Sequence, residues 1–172
     1  MSTMTEERRS DGDEPRFIAD AMLGRLVRWM RLLGYDVLYD PGLKDREIAR
    51  IAVRERRVVL TRDRELLASR AIRLDRPGIM VDADRVRDQL AIVFGALGLR
   101  PRAGLLFSRC SKCNGSLADV TPQTVRGRVP PFVLKTSTRF SVCEGCGQVY
   151  WDGTHRELVR RQLAALVPSL DI

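Results

Sequence analysis

Cys110-Ser-Lys-Cys113-Asn-Gly and Cys143-Glu-Gly-Cys146-Gly are two matched knuckles, each a Cys-x-x-Cys turn followed closely by glycine. Two thiolates spaced by two residues can grip one tetrahedral ion, and the glycines free backbone N–H groups to face sulfur. Four sulfur ligands close the coordination shell, so the expected occupant is a structural Zn²⁺ on Cys110, Cys113, Cys143 and Cys146. A small module with a poor apolar core depends on such an ion for folding. A redox pair or an iron–sulfur cluster fits the matched spacing less well. His155 is the single histidine. With four cysteines already sufficient, it is read as packing against Trp151 or touching a substrate.

Carboxylates form the second set. Asp20 ends the apolar run Phe17–Ala19, Asp40 follows Val37–Tyr39, Thr61-Arg62-Asp63 follows Val58–Leu60, and Asp82 follows Gly78–Val81. Lys44-Asp45-Arg46-Glu47 opens a helical stretch. In an open α/β sheet the functional crevice lies at the carboxyl ends of the strands, where these acids recur. Each alone also reads as a helix cap or as an acid complementing the helix dipole, and Asp40 and Asp82 fit that reading well. Asp20 and Asp63 end strands near the sheet centre. If three carboxylates converge there, a cation must offset their repulsion, and an all-oxygen donor set suits Mg²⁺ or Mn²⁺. Such an ion beside a basic surface is equipment for phosphodiester hydrolysis, and no histidine base is then needed. Neither a P-loop nor a dinucleotide-binding glycine motif is present.

The elements that must carry these groups follow from hydrophobic period. Residues 16–99 alternate short apolar runs with amphipathic stretches. Strands are expected at Arg16–Ala19, Val37–Tyr39, Val58–Leu60 and Gly78–Val81. Helices are expected at Ala21–Leu33, Asp45–Arg54, from Thr61 onward, and at Asp84–Leu97, the first stopped by Gly34. This βα alternation predicts a small α/β domain with a parallel sheet of four or five strands flanked by helices. Residues 100–172 hold the knuckles on a β-hairpin ribbon, with few helical signals before a closing helix at Arg156–Val167. Residues 1–15 are polar and read as a flexible leader, not a secretory signal, which implies a cytoplasmic protein. No apolar run approaches the ~20 residues that span a bilayer.

Net charge is +8 with a pI near 10. Such a balance favours polyanions, either nucleic acid or an anionic membrane surface. Cations outnumber acids most strongly between residues 100 and 161, within the cysteine module.

Asp20-Ala-Met-Leu-Gly-Arg-Leu-Val-Arg-Trp-Met-Arg-Leu-Leu-Gly-Tyr-Asp36, Val59-Leu-Thr-Arg-Asp63-Arg-Glu-Leu-Leu67, the two knuckles and Tyr150-Trp-Asp-Gly-Thr-His155 together resemble the Mut7-C family. That family joins a PIN-like ribonuclease domain to a zinc ribbon, and the likeness spans residues 16–160 in order. The resemblance implies RNA as substrate and an acidic Mg²⁺ or Mn²⁺ site of three or four acids. By position Asp20 is the first acid, Asp45 the second with Glu47 as alternate, and Asp63 a later one. A fourth falls on Asp82 or Asp84, where the match is loosest. It also implies that Arg25 and Arg28, on one side of the first helix, and Arg62 contact RNA phosphates. The alternative is a solvated basic face or arginines that neutralise the acids. Trp29 is expected to pack rather than stack on bases.

Three functional readings follow. One is a metal-dependent endoribonuclease acting on single-stranded RNA. The second is a noncatalytic module in which the ribbon binds RNA, tRNA or the ribosome and the acids are only caps. The third is a toxin-like nuclease held by a protein partner.

Overall fold

Phe17, Ile18 and Ala19 are all inaccessible to solvent, which makes Arg16–Ala19 (β1) an interior strand buried on both faces. In the computed structural model, which describes residues 14–69, Ile72 and 78–167, β1 lies inside a four-stranded parallel sheet. Its neighbours are Val37–Tyr39 (β2), Arg57–Thr61 (β3) and Ile79–Met80 (β4), in the order β2-β1-β3-β4. The expected leader lies, as far as Asp13, outside the described residues.

Side-chain alternation divides the core. Phe17, Ala19, Val58 and Leu60 face one layer, while Ile18 and Val59 face the other. Helices Gly24–Leu32 (α1) and Val86–Leu97 (α4) cover the first face with Leu26, Val27, Met30, Leu90 and Val93. Helices Asp45–Glu55 (α2) and Arg64–Ala68 (α3) cover the second with Ile48, Ala52 and Leu66. The expected α/β class and the positions of these elements hold. The first helix differs in its opening turn, which is a 3₁₀ turn at Ala21–Leu23 rather than α-helix. Gly34 ends it at φ +95°, a conformation that disfavours any side chain, and a Cβ there would also collide with the Leu105 carbonyl.

The second half forms a three-stranded antiparallel sheet of Leu117–Val120 (β5), Phe140–Cys143 (β6) and Val149–Trp151 (β7). Between β5 and β6 the chain makes a short helix, Pro131–Thr136 (α5), which the scarcity of helical signals did not foretell. Val125, Val129 and Val133 pin this insert on Phe140 and Val149. The closing helix, Thr154–Leu166 (α6), sends Val159 and Leu163 into the first core layer, with Val167 just beyond its end. Although it follows the ribbon in sequence, it packs on the α/β domain. Among the described residues no helix is long and apolar enough to cross a membrane.

The first knuckle docks on the edge strand. Arg31, 4% exposed, donates to the Val37 carbonyl at 2.8 and 3.0 Å and to the carbonyls of Lys112 (2.9 Å) and Ser111 (3.4 Å). Asn114 accepts from the Val37 N–H at 2.9 Å and donates to Asp36 at 2.7 Å. One edge of the sheet is thereby covered by backbone and side chains of the cysteine module.

Candidate active site and zinc centre

The strand order places β2 on one side of β1 and β3 on the other, so the carboxyl ends of β1 and β3 flank a topological switch point. Asp20 stands there, 7% exposed. Its Oδ1 accepts from the Met22 N–H at 2.8 Å, capping the 3₁₀ turn. Its Oδ2 accepts from the Thr61 hydroxyl in a short bond and from the Arg62 N–H at 2.8 Å. Donors from two separate segments therefore fix both oxygens. Burial of a carboxylate is costly unless it is hydrogen-bonded in this way.

Thr61 joins the two acids. Its hydroxyl, fully buried at the end of β3, donates to Asp20 and accepts the Asp63 N–H at 2.8 Å. Asp63 caps α3 through Oδ1, which accepts from the N–H groups of Glu65 (2.7 Å) and Leu66 (3.3 Å). Asp63 Oδ2 accepts nothing among the described residues. The sequence pattern points to Asp63 in the Thr-Arg-Asp segment and not to Thr61. A buried hydroxyl on the last residue of a strand was the available signal.

The remaining candidate acids follow β2 and β4 in the chain or lie in the first turn of α2. Asp45 is the first residue of α2, exposed and without a hydrogen bond or ion pair among the described residues. Glu47 turns back to accept the Lys44 N–H at 3.1 Å and so serves as a cap. Asp40 accepts from the Gly42 N–H at 2.8 Å in a local turn. Arg62 pairs with Asp84 at 3.0 Å and lies 3.8 Å from Asp82, both exposed acids. Arg25 and Arg28 are exposed on α1 and form no ion pair among the described residues, so they do not neutralise the acids. Trp29 packs against the core, as expected. The side chain of His155 lies outside the described residues. Gly24 admits Tyr39, whose hydroxyl donates to the Ala21 carbonyl at 3.0 Å; a Cβ on Gly24 would come within 2.8 Å of that oxygen.

No three acids among the described residues bring their oxygens within 4.8 Å of one another; the four cysteines do so with their sulfurs. Cys110 Sγ lies 3.7 Å from Cys146 Sγ, and Cys113 Sγ 3.3 Å from Cys143 Sγ. Sulfurs at ~2.3 Å from a tetrahedral zinc stand about 3.8 Å apart, so the cluster fits that ion. A Cβ on Gly115 would meet Cys143 Sγ at 2.9 Å, which makes the knuckle glycines a requirement of space as well as of amide direction. The Gly115 N–H favours a Cys113 thiolate, but burial and the neighbouring sulfurs push this thiol up to about 12. Burial also acts against the Cys110 thiolate. There the Tyr150 hydroxyl at 3.1 Å and the knuckle N–H groups prevail and lower it to about 6. Four crowded sulfurs favour full ionisation only around a cation.

Residues 15–163 match the family model described as the Mut7-C RNAse domain. No curated protein and no solved structure matches the chain. The β2-β1-β3-β4 parallel sheet with its flanking helices and the four-cysteine cluster agree with that model, which spans both halves of the chain. The chain belongs to the Mut7-C RNAse domain family.

Proposed function

We propose that this protein is a metal-dependent endoribonuclease that cleaves single-stranded RNA at the carboxyl edge of its parallel sheet. The observation that carries this reading, within a chain matching an RNAse domain, is Asp20: buried at the switch point and fixed through both oxygens. A cap alone needs neither burial nor donors from a second strand.

In this reading Asp20, Asp63 and Asp45, whose oxygens do not all lie within 4.8 Å of one another, would hold Mg²⁺ or Mn²⁺ partly through the waters that such an ion keeps. When bound, the ion lowers the pKa of a water and neutralises charge developing on the phosphate. Thr61 and the Arg62 N–H aim the Asp20 carboxylate, so little reorganisation is left to the moment of reaction. Arg25 and Arg28, without an ion pair among the described residues, receive the RNA backbone. Arg62, tied to Asp84, orders the rim of the site.

The test is cleavage of a labelled single-stranded RNA in Mn²⁺ by the parent protein and by Asp20→Asn and Asp63→Asn, all purified identically. The parent should cleave and both variants should lose at least about 100-fold of its rate. Undiminished metal-dependent cleavage by both variants removes the assignment. The same result would favour the noncatalytic reading, in which both acids are only the caps that they also form.

A further inference from the structure

Ten aromatic side chains serve this protein, and Phe132 is the exposed one among them, at 66%. A single exposed apolar residue needs no explanation by itself. Its setting does. Phe132 sits on α5, in the insert between the two knuckles, and the whole stretch from Val120 to Cys143 contains no acid. Four cations, Arg126, Arg128, Lys135 and Arg139, lie in that stretch. All four are exposed, and none makes an ion pair among the described residues, although Arg128 donates to the Gly147 carbonyl at the second knuckle. Elsewhere Arg16, Arg54, Arg57, Arg62, Arg109, Arg156 and Arg161 are paired to acids, whereas Arg25 and Arg28 on α1 form no ion pair among the described residues.

The ring is held out on a fixed support. Pro131 occupies the first turn of α5, where its fixed φ favours the helix start. Val133, the next residue after Phe132, is 2% exposed against Phe140 and Val149. At the far end Ser137 donates to the Asp152 carbonyl at 2.6 Å. Lys135 follows Phe132 by three residues and therefore shares its side of the helix. Burial of a phenylalanine removes more apolar surface from water than burial of a valine, yet the fold buries the neighbouring valine and leaves the aromatic ring in solvent.

We infer that Phe132 and Lys135, on an acid-free insert that also carries Arg126, Arg128 and Arg139, form a stacking platform for an unpaired base of single-stranded RNA, separate from the Asp20 edge. An exposed aromatic face on an insert with four cations and no acid matches how proteins bind single strands: stacking on the ring and phosphate contacts around it. A duplex hides its base faces and offers nothing to Phe132. A protein partner would call for a broader apolar patch than one ring. The inference deepens the proposed function by adding a second substrate contact, and it rests on RNA being the ligand.

The test uses the full chain carrying Asp20→Asn, so that RNA is bound without being cut, with zinc retained and no chelator added. Fluorescence anisotropy compares a labelled oligouridylate with the same strand annealed to its complement. Phe132→Ala should weaken single-strand binding roughly tenfold, within the ~1–3 kcal/mol of a base–aromatic stack, and leave duplex binding unchanged. Phe132→Trp should restore it. Lys135→Gln should weaken both ligands and reduce the salt dependence of binding. Equal single-strand affinity with and without Phe132 overturns the inference and leaves the ring as a protein contact. Equal losses for both ligands, or a lowered melting temperature of Phe132→Ala, overturn it too by making Phe132 a residue of the fold. Cleavage is scored separately with Asp20 intact, so a platform that binds beside an inactive edge remains distinguishable from an active edge without a platform.

Discussion

The side chain that ties the candidate site together is the hydroxyl of Thr61. It donates to Asp20 and accepts from the Asp63 N–H, so the two acids are set by one atom. Thr61→Val keeps the shape of this fully buried residue and removes only that atom's chemistry. Asp20 Oδ2 then retains the Arg62 N–H alone, and the Asp63 N–H loses its acceptor. The expected cost to stability is about 1–3 kcal/mol for the part-buried groups left unpaired. On the proposed reading the larger effect is on turnover: kcat should fall by about 10- to 100-fold with KM nearly unchanged, because the carboxylate is displaced rather than removed. Thr61→Ser should restore most of it. A valine variant with the parental kcat would show that Thr61 supports only the fold. Thr61 would act as a positioning residue, and the split between kcat and KM is what separates that role from a structural one.

At the scale of elements, the end of the sheet opposite Asp20 is clipped by a single ion cluster. Arg16 opens β1, Arg57 opens β3 and Asp36 precedes β2; Asp36 accepts from Arg57 at 2.7 Å, Asn114 at 2.7 Å and Arg16 at 3.3 Å. Burial acts to raise the Asp36 carboxyl, but the Arg57 and Asn114 hydrogen bonds outweigh it and hold it below the ordinary carboxylate range. A depressed folded pKa contributes stability that is complete above the unfolded value, about 3.9. That stability is lost as pH falls from there through the lowered folded pKa. Denaturant unfolding followed between neutrality and acid should therefore show a decline beginning near pH 4, and Asp36→Asn should flatten it. An unchanged acid limb in the variant would assign the decline to other acids. The elements themselves were legible, because Phe17–Ala19 and Val58–Leu60 are uninterrupted apolar runs and α1, α2 and α4 repeat at helical period. The knuckles were legible from spacing alone. What could not be read was whatever depended on distant partners. Arg31 sits in a basic amphipathic helix like its neighbours Arg25 and Arg28, and nothing local says that it alone is buried. Helix α5 has only six residues and is held by valines from three turns of an irregular insert, so it carried no periodic signal. Asp20, Asp63 and Asp82 were legible as acids following strands, whereas Asp45 and Glu47 came from the family resemblance; Glu47 and Arg62 turn to a local cap and an ion pair that sequence order does not reveal.

At the scale of the whole molecule, Arg31 and Asn114 make the metal module part of the sheet. The carbonyls that receive Arg31 belong to Ser111 and Lys112, inside the first Cys-x-x-Cys turn, and the Val37 N–H ends on Asn114, one residue beyond it. Burial disfavours the Arg31 charge, and the Cys110 and Cys113 sulfurs partly offset that effect, so the state of the knuckle acts directly on the edge of the α/β domain. Zinc removal should consequently loosen more than the ribbon. Hydrogen exchange on the metal-free protein should show the Val37 amide losing protection, because its acceptor is carried by the knuckle. Amides between β1 and β3, which pair within the interior of the sheet, should lose much less. Arg31→Met, with metal retained, should reproduce the effect at β2 and lower the melting temperature, since the Val37, Ser111 and Lys112 carbonyls lose their shared donor. If Val37 stays protected after the metal is removed, the knuckle keeps its shape and its bonds to Val37 and Arg31 without the ion. If it exchanges freely, the ion stabilises the very strand beside β1, and the position of Asp20 at the end of β1 depends in part on a zinc site at the other side of the sheet's edge.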